Sequence, residues 1–114
     1  MDAIEMQQEK KGEILILRLT GRLDAVTSPD IEKEVGDIIE TGELKVLMNF
    51  SGITYLSSAG MRMLLATTKK LNLLSGKIVV TNVDANVLDV LHMSGFDRVI
   101  TIADTEEAGL EQLK

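Results

Sequence analysis

A mixed, mostly parallel α/β sheet with helices packed on it is the fold class that this sequence predicts. Apolar, β-rich runs alternate with segments of helical periodicity, which calls for right-handed crossovers between parallel strands. The first such run is preceded by a short strand-like stretch rather than a helix, so the sheet opens with an antiparallel hairpin. At 114 residues, 45% hydrophobic and 26% charged, the chain has the length and composition of one domain with one core, spanning 1–114.

Residues 13–20, EILILRLT, are bounded by Gly12 and Gly21 and read as a strand. Residues 3–8 are its hairpin partner through Lys10, Lys11 and Gly12. Ser28 followed by Pro29 has the form of a cap with proline at the first helical position, and Asp30 and Glu32 suit the positive end of a helix dipole. Ile31, Val35, Ile38 and Ile39 then make one apolar stripe, so a helix is expected over 29–40, stopped by Gly42. Leu44 to Phe50 reads as a buried strand followed by a turn at Ser51 and Gly52. A second helix starts at Ser57 and Ser58, with Met61, Leu64, Leu65, Thr68 and Leu71 on one face, and closes at Gly76. Lys77 to Thr81 is a strand, 85–92 a short helix, Arg98 to Ile102 a last strand and Thr105 to Leu113 a terminal helix. Four to five strands and about four helices result. The alternation of Leu15, Leu17 and Leu19 with Glu13, Arg18 and Thr20 leaves one sheet side partly polar, so all helices are expected on one face.

Composition narrows the function classes. With a net charge of −6, only two Phe, one Tyr and no Trp, the chain has neither a basic face nor stacking platforms for nucleic acid. It has no Cys, so disulfides, thiolate nucleophiles and zinc-thiolate sites do not arise. The start, MDAIEMQQEK, has acidic residues and no long apolar run, unlike a signal peptide or membrane anchor, and the expected location is cytoplasmic without membrane association. The single His, His92, sits between Leu91 and Met93 near a helix end and reads as a half-exposed structural residue. No phosphate-binding glycine loop is present. These features point to a binding protein rather than an enzyme, with no metal or cofactor.

The segment YLSSAGMRMLL is the most informative. A strand, a short loop and a helix meet at Ser58, with Ala59 and Gly60 in the first turn. Ser58 there has a plain explanation as an N-cap, a contribution of about 1 kcal/mol. The same unpaired N–H groups and dipole would also accommodate a phosphate of about −1.5 to −2 charge.

Four segments together carry a family resemblance: LRLTGRLDA at 17–25, VLMNFSGITYLSSAGMRMLL at 46–65, GKIVVTNV at 76–83 and VLHMSGFDRVI at 90–100. In order and spacing they resemble the STAS domain, the fold shared by sulfate-transporter tails and bacterial anti-sigma-factor antagonists. At this length the chain is similar to the stand-alone antagonists. Their signature is Asp-Ser-Ser-Gly, whose first Ser is phosphorylated by an anti-sigma factor that is also a Ser kinase. By position the Asp falls on Ser57, the acceptor on Ser58, the second Ser on Ala59 and the Gly on Gly60. The acceptor is kept and the acidic neighbour is replaced. Asp24, in the Gly-x-Leu-Asp turn, is kept and is either a turn residue satisfying local N–H groups or a partner contact.

The resemblance implies a partner switch that binds the kinase when unphosphorylated and leaves it once Ser58 is phosphorylated, with a Ser/Thr protein phosphatase as the second partner. The contact surface it implies comprises Asp24, Ser57, Ser58, Ala59, Gly60, Met61 and Arg62. A constitutive STAS subunit of a transport or sensory complex and a nucleotide-binding module are the alternatives. Gly60 is expected to be small so that a partner can approach Ser58.

Overall fold

The computed structural model describes residues 4–114. Strands β1 (Glu5–Lys11) and β2 (Ile14–Leu23) form the antiparallel opening hairpin, with Lys11 opposite Ile14. Residue 3, where the hairpin partner was expected to begin, lies outside the described residues. Helix α1 (Thr27–Glu40), strand β3 (Lys45–Leu56), helix α2 (Ser58–Leu73), strand β4 (Lys77–Thr81), helix α3 (Ala85–Met93), strand β5 (Ile102–Ala103) and helix α4 (Glu106–Leu113) follow. The sheet order is β1-β2-β3-β4-β5, with every pair after the hairpin parallel. This is the mixed sheet that the alternation of elements predicts.

The helices do not all lie on one face. Leu15, Leu17 and Leu19 of β2, with Val46, Met48 and Phe50 of β3 and Ile78 and Val80 of β4, belong to the larger core, which α1, α2 and α3 cover. Ile14, Ile16, Leu47 and Val79 point the other way and are buried against Leu110 and Leu113 of α4. Right-handed crossovers through strands added in one direction put α1, α2 and α3 on the same face. Helix α4 follows the last strand, is no crossover, and so can cover the apolar remainder of the opposite face. Arg18 fastens it there: Nε donates to Glu106 Oε2 at 2.8 Å and Nη2 to Oε1 at 3.0 Å, while Asn49 Nδ2 donates to Oε2 at 2.6 Å.

Several boundaries differ from expectation. Ser51 and Gly52 form no turn but lie inside β3, because β2 likewise runs past Gly21 to Leu23 and the two strands stay paired to Leu23–Leu56. The pairing slips between Arg18 and Thr20 and again between Gly21 and Arg22. Gly52 fits the slip, since a Cβ there would stand 2.6 Å from Thr20 Oγ1 and 2.8 Å from the Leu19 carbonyl. The last strand is only Ile102–Ala103. Phe96–Arg98 instead forms a 3₁₀ turn, and the Ile100 N–H that a strand would have used donates to the Phe96 carbonyl at 2.9 Å. The buried arc of α2 is Gly60, Met63, Leu64, Thr67 and Leu71; Met61, Leu65 and Thr68 are half-buried, because the helix packs on α1 as well as on the sheet. On α1, Ile31, Val35 and Ile39 are buried and Ile38 is half-buried.

Candidate functional site

The parallel strands β2, β3 and β4 end at one edge of the sheet, and α1, α2 and α3 begin there. In open α/β sheets that edge is the usual place for a site. The connection from β3 to α2 is a single residue, Ser57, whose backbone is extended at φ −88° and ψ 174°. Its hydroxyl accepts from the Gly60 N–H at 3.2 Å and donates to the Leu23 carbonyl at 2.9 Å; its own N–H donates to the same carbonyl at 2.9 Å. Ser57 is therefore the N-cap, not Ser58. A cap needs non-helical dihedrals and a side-chain oxygen three residues before the N–H it satisfies, and only position 57 offers both. Ser58 is the first residue of α2. It is exposed, and its hydroxyl has no hydrogen-bond partner among the described residues.

The start of α1 also differs from expectation, with Val26 in the N-cap position and no side-chain cap there. Asp24 Oδ1 accepts from the N–H groups of Val26 and Thr27, both at 2.9 Å, and Thr27 Oγ1 donates to the Arg22 carbonyl at 2.5 Å. The N–H groups of Thr27 and Val26 hold the Asp24 carboxyl below the usual carboxylate range. Asp24 thus satisfies local N–H groups, the turn role its position suggested. Ser28 is not a cap: α1 starts at Thr27, Ser28 is 2% exposed, and its hydroxyl has no partner. Pro29 is the third helical residue, still within the turn that lacks internal acceptors for its N–H groups.

Gly60 is buried, and the reason for its size is internal. A Cβ there would stand 2.6 Å from Leu56 Cδ1 and 3.0 Å from both the Cβ and the carbonyl of Leu23. The expected clearance for a partner is replaced by close packing of α2 on the ends of β2 and β3. Ala59 and Met61 are half-buried and Arg62 is exposed. Met61 Sδ lies 3.5 Å from Ser94 Oγ, which brings the end of α3 beside the first turn of α2. Met93 there is 85% exposed.

Sequence reading missed Arg22 and Tyr55, whose guanidinium stands 4.2 Å from the ring centroid. The sole Tyr, two residues before Ser57, was a hint, but the pairing depends on the strand register that sets Arg22 opposite Tyr55. His92 is exposed in the last turn of α3, with Nδ1 2.6 Å from Asp97 Oδ2. Among the described residues no cluster of three His, Cys, Asp or Glu side chains could hold a metal ion, and no helix is long and apolar enough to cross a membrane.

The STAS domain family matches residues 5–109. The chain belongs to the STAS family. Among curated STAS relatives it is 27% identical over 111 residues to a candidate anti-sigma factor antagonist, BtrV of Bordetella bronchiseptica, covering 97% of this chain and 96% of that one. It is 26% identical over 112 residues to the anti-sigma F factor antagonist of Paenibacillus polymyxa, again covering 97% and 96%. Of solved structures, an anti-sigma factor antagonist from Mycobacterium paratuberculosis superposes with a TM-score of 0.88 at 23% identity, over 98% of this chain and 95% of that one. The Bacillus cell fate determinant SpoIIAA, in its phosphorylated form, superposes with a TM-score of 0.72 at 23% identity over 96% and 100%. In this chain the capping role at the start of α2 belongs to Ser57.

Proposed function

We propose that this chain is an anti-sigma-factor antagonist whose binding to a Ser-kinase anti-sigma factor is ended by phosphorylation of Ser58. The observation that carries the reading is a contrast among the hydroxyl and carboxyl groups at the starts of α1 and α2. The side chains of Asp24, Thr27 and Ser57 are all engaged in holding helix starts, whereas the exposed Ser58 hydroxyl beside them has no partner among the described residues. A kinase needs such a hydroxyl. In the transfer, Ser58 Oγ forms a bond to the terminal phosphorus of ATP, the bond to ADP breaks, and the hydroxyl proton passes to a base on the kinase.

The unmodified surface is neutral at Ser58 and is bordered by Met61 and Arg62. A phosphate there brings about −1.5 to −2 charge into the contact. An uncompensated charge at a desolvated interface costs several kcal/mol, and about 1.4 kcal/mol is already tenfold in affinity. Release then needs no change of fold. A Ser/Thr protein phosphatase would reset the switch. The relatives named as antagonists support the regulated target, and the SpoIIAA structure in a phosphorylated form supports a switch of this type.

Incubation with the cognate kinase and ATP, followed by fragmentation mass spectrometry, tests the reading. One phosphate, on Ser58 and not Ser57, is the expected result. A chain left unmodified, with Ser58→Asp binding as tightly as Ser58→Ala, would instead favour the constitutive adaptor. The absence of an acidic residue at position 57 is the observation on that side.

A further inference from the structure

We infer that Arg62 is the internal counter-ion of a phosphate on Ser58, the two closing an ion pair across one turn of α2 that exists only in the phosphorylated chain. This rests on the reading of Ser58 as the acceptor. Ser58 and Arg62 are both exposed and four residues apart on α2. Side chains at that spacing are neighbours, with Cβ atoms about 5–6 Å apart. Helical side chains tilt toward the N-terminus, so Arg62 leans over the turn that begins with Ser58. The order, anion first and cation four residues later, is the favourable one on a helix.

Backbone donors alone are a thin cradle for that phosphate. The Gly60 N–H is already taken by Ser57 Oγ, and the Met61 N–H by the Ser57 carbonyl at 3.0 Å. Of the first-turn donors only the Ser58 and Ala59 N–H groups remain, and Arg62, four residues after Ser58, is an uncommitted side-chain cation. It lines a groove of about 460 Å³ between α1 and α2, whose other charged groups are Glu32, Lys33 and Asp37 of α1 and Lys70 of α2. Lys33 pairs with Asp37 at 3.1 Å and Lys70 with Glu40 at 2.8 Å, while Arg62 has no ion-pair partner among the described residues. Glu32 is the one competing carboxylate of the groove, a monoanion on another helix. A phosphate offers nearly twice the charge and three acceptor oxygens to a planar fork that can bind two of them at once. One modification therefore changes the surface twice: it adds an anion at Ser58 and withdraws the Arg62 cation from whatever it met before.

The test uses the full chain with phosphoserine installed at position 58 by genetic code expansion, with no kinase involved. Phosphorus NMR follows the second ionisation of the phosphate, which lies near pH 6 in a free phosphoserine. In the parent it is expected at a lower pH than in Arg62→Ala, by roughly half a pH unit, since the cation favours the dianion. Arg62→Lys keeps the charge without the fork and is expected to fall between them. A phosphate that titrates at the same pH in the parent and in Arg62→Ala overturns the pairing, and leaves the switch itself standing. Conversely, a kinase that ignores Ser58 removes the switch without altering this titration.

Discussion

Ser57 is bonded to Leu23 twice, through its N–H and its hydroxyl, both to the one carbonyl at the end of β2. The same hydroxyl accepts the Gly60 N–H, so one side chain fixes α2 to the strand that leads into Asp24 and α1. Its neighbour Ser58 carries none of this. Ser57→Ala is expected to lower stability by about 1 kcal/mol, within the usual range of roughly 0.5–2 for a lost cap. Ser58→Ala is expected to stay within about 0.5 kcal/mol of the parent, as surface substitutions do. Urea denaturation of the two variants measures this directly, and a larger loss for Ser58→Ala than for Ser57→Ala would return the cap to Ser58.

Gly60→Ala puts a methyl group against Leu56 and the Leu23 carbonyl, and the carbonyl cannot give way without moving the strand end. Overpacking of this kind costs about 1–3 kcal/mol. The melting temperature of Gly60→Ala should drop well before any partner is added. A variant as stable as the parent would show that the first turn of α2 has slack.

Ser28→Ala is expected to do no harm and to gain up to about 1 kcal/mol, because it removes a buried hydroxyl that has no partner. Were Ser28 a cap, the same substitution would cost about that much instead. Thermal denaturation gives the sign.

Glu106 provides the pH dependence. Its carboxyl is held below the usual range chiefly by the Arg18 guanidinium, with Asn49 adding to the effect. A carboxylate with a depressed folded pKa contributes stability that is present above its unfolded pKa, about 4.3, and is lost as pH falls through the folded value. Below about pH 4 the docking of α4 should weaken. Glu106→Gln should be less stable than the parent at pH 7, with the difference shrinking on acidification. Paired denaturation series at pH 7 and pH 3 check it; a difference that does not narrow would show that Glu106 acts by packing alone.

Ser58→Asp and Ser58→Ala should separate in partner affinity rather than in stability. Neither loses a cap, and only the Asp variant adds charge to the exposed face of α2. Binding to the cognate kinase should rank Ala above Asp. Titration calorimetry against that kinase reads the order.

The element order and the mixed sheet were legible because hydrophobic periodicity and punctuation by Gly survive in the linear chain. Lys77 to Thr81 is bounded in the structure as the sequence suggested. What could not be read depended on neighbours. Gly21 and Gly52 look like stops, yet they sit at a slip between two strands that keep each other extended. Ile14 and Ile16 were visible as apolar, but their need for cover became evident only once α4 had a face to occupy. Between β3 and α2, the start of a helix at the two serines was legible in the sequence, and the division of labour between them was not. Ser57 and Ser58 are chemically identical, and only the Leu23 carbonyl, far away in sequence, distinguishes them.

Because the strands lie side by side in the order in which they occur along the chain, each is laid against its immediate predecessor. During synthesis the hairpin would emerge ahead of the strand-helix units that follow it, and each of these would meet an edge already in place. No strand has to wait for a later one to open a gap. Each parallel pairing closes over a single helical crossover and never over two. The serine turn, joining the third strand to the second helix, would be assembled on the nascent chain before α4 has emerged.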